Sequence, residues 1–161
     1  HLLPHKPSLV ITGINRGGNL GTDIFYSGTV GAAMEGARYG CPAMAISCFG
    51  NEICERDYRT SAQVVRKILE RSDSLLYADC VLNINVPALP YKNIKGIKNC
   101  HTADWSLYSS CHNNNIAKRK TNDQILDCQE IMEGYVTVSA LKSDLFDKQI
   151  SSCISEKLPS L

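Results

Sequence analysis

Neither sign of charge predominates in this 161-residue chain: 17 Lys and Arg stand against 16 Asp and Glu, for a formal net charge of +1. A basic groove for a nucleic-acid polymer and a polybasic membrane patch both lack their electrostatic footing. Long apolar runs are missing as well. Stretches such as Ser8 to Thr12 and Pro42 to Ser47 fall far short of the roughly 20 residues a bilayer-crossing helix needs, so no membrane partner is expected. The opening His1-Leu2-Leu3-Pro4-His5-Lys6-Pro7 has no Met and no charged-then-apolar order. It does not read as a secretory leader, and it reads as the middle of a longer chain. Eight cysteines are present, but no neighbouring pair has two-residue spacing, which leaves no zinc-ribbon or thioredoxin pattern. Cys48 and Cys80 fall in apolar, strand-like runs where a small buried thiol is at home, so reduced cysteines in a cytoplasmic protein are expected. Neither Cys100-His101 nor Cys111-His112 has a spacing that fixes a metal geometry, and a redox or metal module built on cysteines is disfavoured. No internal repeat is visible.

With 43% hydrophobic and 20% charged residues, the chain has the makings of one ordinary domain with its own core. Ser8-Leu9-Val10-Ile11-Thr12 is a short β-branched run ending at Gly13, the pattern of a buried strand. A loop with Gly13, Gly17, Gly18 and Gly21 follows. Ser27-Gly28-Thr29 then opens an Ala- and Met-rich segment, Val30 to Tyr39, that ends at Gly40 and predicts a capped helix with a glycine stop. Pro42 to Ser47 restores a strand, so the unit is a βαβ crossover. Asp57 to Ser72 places Ala62, Val65, Ile68 and Leu69 on one helical face, and Val81 to Val86 supplies a further strand. The alternation predicts an α/β fold. Residues 91–122 are polar, with Asn113-Asn114-Asn115 turn-like and Lys118-Arg119-Lys120 read as a solvated loop. Gly134 to Leu141 alternates as a strand, and Ser143 to Leu158 is expected to be a closing helix. Only about three parallel strands are expected, which makes the sheet incomplete for a fold normally buried on both faces.

The chemistry concentrates in Thr12-Gly13-Ile14-Asn15-Arg16-Gly17-Gly18-Asn19-Leu20-Gly21, with Tyr26 to Val30 and Ala33 to Gly36. Glycines let backbone N–H groups approach an anion closely, and the loop feeds a helix whose first N–H groups and dipole favour negative charge. Ser27 and Thr29 add hydroxyls at that helix start. A plain tight connection explains the glycine count equally well. The Walker phosphate loop is excluded because no Gly-Lys-Ser or Gly-Lys-Thr follows, and the dinucleotide loop because its glycine spacing is absent.

In order, Pro7 to Asn15, Gly17 to Gly21, Tyr26 to Val30, and Ala33 to Gly36 resemble the hallmark of the SurE family: Pro-Asp-Leu-Val-Val-Ser-Gly-Ile-Asn, a Gly- and Asn-rich loop, Tyr-Ser-Gly-Thr-Val and Ala-Met-Glu-Gly. Gly40 to Ser47, Leu82 to Pro87 and Gly134 to Leu141 are similar to three later strands of that family, so the resemblance spans nearly the whole chain. It implies a Rossmann-like three-layer α/β/α core with a carboxyl-terminal β arm and helix. Residues 1–90 would be a core half carrying the Gly-rich phosphate and metal loop. Residues 91–161 would be a polar extension, arm strand and helix of the same domain.

The resemblance further implies hydrolysis of nucleoside 5′- and 3′-monophosphates with Mg2+ or Mn2+, and a homodimer or tetramer joined through the arm. Asn15 matches the family's metal-binding Asn, whose amide oxygen is a hard donor suited to such a cation; turn closure by hydrogen bonding is the plainer role. Ser27, Gly28 and Thr29 match the phosphate-holding segment, and Asn19 is placed as a loop-shaping residue that also approaches the ligand. Ser8 replaces an Asp and Thr12 a Ser, the second change keeping a hydroxyl. The family's Asn-Asp-Asp-Gly motif has no counterpart, since no Asp-Asp pair occurs in the chain. Without carboxylates a lone Asn does not hold a divalent cation, and Asp23 and Glu35 read as loop and solvated helix residues rather than substitutes. A non-catalytic module that oligomerises or binds nucleotides is the competing reading, and no catalytic residue is assigned.

Overall fold

The computed structural model describes residues 4–71, 75–107, 124–142, 144–145 and 147–155. Three strands, β1 (Val10–Arg16), β2 (Ala43–Phe49) and β3 (Cys80–Pro87), run parallel in sequence order. A fourth, β4 (Ile97–Asn99), and a fifth, β5 (Val136–Lys142), complete a five-stranded sheet of order β1-β2-β3-β5-β4, in which β5 lies antiparallel to β3. The expected arm strand is thus part of the main sheet, in register with β3 from Cys80 opposite Lys142 to Asn85 opposite Thr137.

Two helices cover opposite faces, giving the three layers. The first, α1 (Gly28–Arg38), lays Val30, Ala33 and Ala37 on Ala43, Ala45 and Val81. Small residues on both sides let it sit close: a Cβ added at Gly36 would meet Val10 Cγ2 at 2.8 Å. Gly40, with φ +70, ends α1 as read from the sequence. The second, α2 (Glu55–Leu69), packs Val64, Val65 and Ile68 against Met44, Ile46, Leu82 and Ile84 on the other face. Alternation along β2, Ala43 and Ala45 one way and Met44 and Ile46 the other, assigns each helix its side.

β1 runs on past Gly13 to Arg16, three residues beyond the expected stop. Gly13 (φ +101) sits where an added Cβ would strike the Ile46 carbonyl, and the register shifts between Thr12 and Asn15. Lacking a side chain, this glycine therefore bends the strand rather than ending it. Among the described residues β1 is an edge of the sheet, with Ile11 46% exposed. The polar region contributes β4 and a single turn at Tyr91–Asn93, while Asn113 to Asn115 and Lys118 to Lys120 lie outside the described residues. A short helix not foreseen from the sequence, α3 (Asp127–Met132), precedes β5, and the closing helix α4 occupies Lys148–Ser155.

Candidate functional site

The glycine loop leaves the carboxyl end of β1 and is tied down within five residues. The Gly17 N–H donates to the Cys48 carbonyl at 2.9 Å, setting the loop against the end of β2. Beyond it, Asn19 is only 5% exposed. Its N–H donates to Asn85 Oδ1 at 2.8 Å, and its carbonyl accepts from Asn83 Nδ2 at 2.8 Å and Asn85 Nδ2 at 3.1 Å. Its own Nδ2 donates to Ser47 Oγ. Asn83 and Asn85 alternate with Leu82, Ile84 and Val86, so one face of β3 is apolar under α2 while the other is polar under the loop. The Leu-Asn-Ile-Asn-Val alternation carried this signal, and the sequence reading missed it.

The next two residues are fixed from a different direction. Leu20, 1% exposed, is the loop's contribution to a second core with Ala103, Trp105, Leu126, Cys128 and Ile131. The Gly21 N–H donates to Asp127 Oδ2 at 2.9 Å, while Asp127 Oδ1 accepts from the N–H groups of Ala103 at 2.9 Å and Cys128 at 2.7 Å. This carboxyl is fully buried, and its burial raises its pKa above the ordinary range against the opposing pull of its three N–H donors. Gly21 is at φ +52, and an added Cβ would collide with the Trp105 carbonyl, so only glycine fits the corner.

The remaining predicted site residues are half-buried or exposed. Asn15 Nδ2 donates to the Gly17 carbonyl at 2.9 Å, which closes the turn, while its Oδ1 takes no hydrogen bond from the described residues. Turn closure and a free hard oxygen are thus compatible in one side chain. Ser27 caps α1 by accepting from the Val30 N–H at 3.0 Å, as a helix-starting serine should. Among the described residues the Gly28 and Thr29 N–H groups have no partner, and a Cβ at Gly28 would meet nothing within 4 Å. The Thr12 hydroxyl donates to the Thr29 carbonyl at 2.7 Å, joining β1 to the first turn of α1; the retained hydroxyl therefore has a structural use. Ser8 is exposed just ahead of β1.

Glu35 is a solvated helix residue paired with Arg38 at 3.2 Å. Asp104 is exposed, and Asp123 lies outside the described residues. Asp23 lies in the first turn of the short 3-10 helix Gly21–Tyr26, with Oδ2 buried and without a partner among the described residues. Among the described residues no three His, Cys, Asp or Glu side chains are grouped to hold a metal ion. Asn15 Oδ1 fits one position of a cation's coordination shell, but the residues here supply no carboxylate to complete it. The seven described cysteines are all free thiols. Burial raises the pKa of Cys48, Cys80 and Cys128, and that of Cys100 to about 11, so these are packing thiols rather than reactive ones. Cys100 is buried while its neighbour His101 is exposed, and Cys111-His112 lies outside the described residues.

A sequence model of the family described as Survival protein SurE matches residues 1–109. A 5′-nucleotidase SurE of Symbiobacterium thermophilum is 50% identical over 101 residues, covering 60% of this chain and 38% of that protein. Another, from Desulfitobacterium hafniense, is 36% identical over 171 residues, covering 96% of this chain and 66% of that protein. The crystal structure of the SurE protein from Aquifex aeolicus superposes with a TM-score of 0.78 at 31% identity, over 95% of this chain and 66% of that chain. The chain spans no more than 66% of the length of these relatives.

Proposed function

The chain belongs to the SurE family, and from that premise we propose that it supplies the substrate loop of a divalent-metal phosphomonoesterase acting on nucleoside 5′- and 3′-monophosphates. The observation that carries the proposal is the contrast inside one loop. Buried groups hold Asn19 to Gly21, while Asn15 Oδ1 at the loop's entry from β1 and the Gly28 and Thr29 N–H groups at the start of α1 have no partner among the described residues. Unpartnered N–H groups at a capped helix start are the arrangement that receives a phosphate.

In this reading Gly28 and Thr29 hold the phosphate through their backbone, with Ser27 fixing the first turn. Asn15 offers a neutral oxygen to Mg2+ or Mn2+. The cation, when bound, would polarise the phosphate ester; its carboxylate ligands are not among the described residues. Asn19 is a positioning residue, because its Nδ2 and both backbone polar groups are already engaged in the fold. Self-association through the carboxyl-terminal segment is supported by α4, whose Ile150 and Ile154 are 58% and 51% exposed. A cytoplasmic setting is supported by the free thiols, and no described helix is long and apolar enough to cross a membrane.

Release of inorganic phosphate from 5′-AMP and 3′-AMP, with Mg2+ or Mn2+ and an EDTA control, tests the proposal. Metal-dependent turnover that Asn15→Ala lowers about 10- to 100-fold, and that the exposed Asn93→Ala leaves alone, is the expected result. Equal effects of the two changes would remove Asn15 from the site. Among the described residues no acidic cluster joins Asn15, and the second reading is a nucleotide-binding module without turnover. Saturable AMP binding with no phosphate release under any metal would select it.

A further inference from the structure

A cleft of about 420 Å³ opens at the carboxyl ends of β2 and β3, walled by Phe49, Pro87, Ala88, Leu89, Ile131 and Met132. Its volume lies within the roughly 300–1,000 Å³ usual for small-molecule sites. In open parallel sheets, ligands bind in the crevice outside the strand carboxyl ends, and here the glycine loop already occupies one side of that crevice. Phe49 joins the two: a Cβ added at Gly18 would meet the Phe49 ring at 2.9 Å, so the loop lies directly on the cleft's wall. We propose that this cleft receives the nucleobase of a nucleoside monophosphate whose phosphate lies on the loop and α1 start, an inference that rests on the nucleotidase reading above.

The lining decides what can enter. Among the described residues no charged side chain lines the cleft, and Asn51 is the one polar side chain of its walls. A phosphate placed there would lose its hydration with no cation in return, whereas a flat, neutral, largely apolar ring gains from burial. Glycine at two positions keeps side chains off the cleft's lining. A Cβ at Gly50 would meet Ala88 Cβ at 2.6 Å, and Gly134, at φ +89, presents bare backbone beside Leu89. Asn51 offers both a donor and an acceptor at the rim, which suits the polar edge of a base without selecting one base strongly.

The sole tryptophan provides a reporter independent of turnover. Trp105 is 7% exposed and shares its core with Ile131, Phe49 and Leu107, all of which line the cleft. Titrating the chain with adenosine, which lacks phosphate, should give a saturable change in Trp105 fluorescence. Met132, 65% exposed, can carry a charge without disturbing the fold. Met132→Glu should weaken adenosine about tenfold or more while inorganic phosphate, followed separately, binds as to the unmodified chain. Adenosine that causes no saturable change while phosphate or AMP still binds would overturn the nucleobase assignment and leave the nucleotidase reading standing. Adenosine binding that ignores Met132→Glu would place the base elsewhere and overturn it equally. Adenosine that binds as described while phosphate does not bind at all would uphold the cleft and bring down the phosphatase reading instead.

Discussion

The two halves of the glycine loop differ in what they do with their polar groups. In the Asn19 to Gly21 half, each backbone N–H at the ends of the segment meets a buried side-chain acceptor, Asn85 for Asn19 and Asp127 for Gly21. In the other half, counting Asn15 at its entry and the start of α1 beyond its exit, an amide oxygen and two N–H groups have no partner among the described residues. Each half needs the other. A loop satisfied throughout would have nothing to offer a ligand, and a loop satisfied nowhere would not hold a shape. The difference places the anchoring on Asn85 and Asp127, and in the proposed reading leaves ligand contact to residues that matter less for folding.

The comparison can be broken first at Asp127. Asp127→Ala orphans the N–H groups of Gly21, Ala103 and Cys128 and should cost about 3 kcal/mol or more, read as a lowered urea midpoint. A change below half a unit of molar urea would show that the buried carboxylate does not anchor the loop. Asn85→Ala should come next, at about 2 kcal/mol, because it removes the acceptor for the Asn19 N–H and one donor to its carbonyl. It should also weaken phosphate binding without touching the ligand, and unchanged phosphate affinity would contradict the positioning role. Ser27→Ala should cost about 1 kcal/mol, the usual loss for a helix cap, with Ser27→Gly recovering most of it. Asn15→Ala should stay within about 0.5 kcal/mol of the unmodified chain, even though it is the change expected to reduce metal-dependent binding most. A large stability loss there would erase the distinction between the two halves.

The buried carboxyl also sets a pH dependence. Because burial raises the folded-state pKa of Asp127 above its ordinary value, the folded state binds this proton more tightly than the unfolded chain. The associated stability is fully present below the unfolded pKa, about 3.9, and is lost as pH rises through the folded one. Compared with Asp127→Asn, the unmodified chain should therefore gain relative stability as pH falls from neutral through that range. A relative loss on acidification would reverse the sign and place the folded pKa below its ordinary value.

The alternation of apolar runs and periodic helices disclosed the three parallel strands, α1 and α2, because each element's local pattern agrees with its place in the fold. Gly40 ends α1 as its sequence context indicates. Gly13 misled, because its neighbours look like a strand end while its actual use, close approach to the Ile46 carbonyl, is visible only once β2 lies alongside. The partners of Asp127 were hidden for a related reason. The Gly21 N–H is 106 residues away in sequence, and a short helix such as α3 has too few turns to display a period. The place of β5 within the sheet depends on its antiparallel pairing with β3, which strand propensity alone does not specify. In the proposed site, Asn15 and Ser27 to Thr29 could be picked out from the sequence because local spacing carries the motif they sit in. Asn83 and Asn85 were overlooked despite a readable cue, polar residues at alternate positions of an otherwise apolar strand.

The most direct test of the central claim is to follow the backbone amides of the 15N-labelled chain by NMR while titrating inorganic phosphate in the presence of Mg2+. Saturable shifts concentrated at Gly28 and Thr29 are expected, with the Asn19 and Gly21 amides nearly still because buried acceptors already hold them. Shifts centred on Asn19 and Gly21, or none at the start of α1, would contradict that claim.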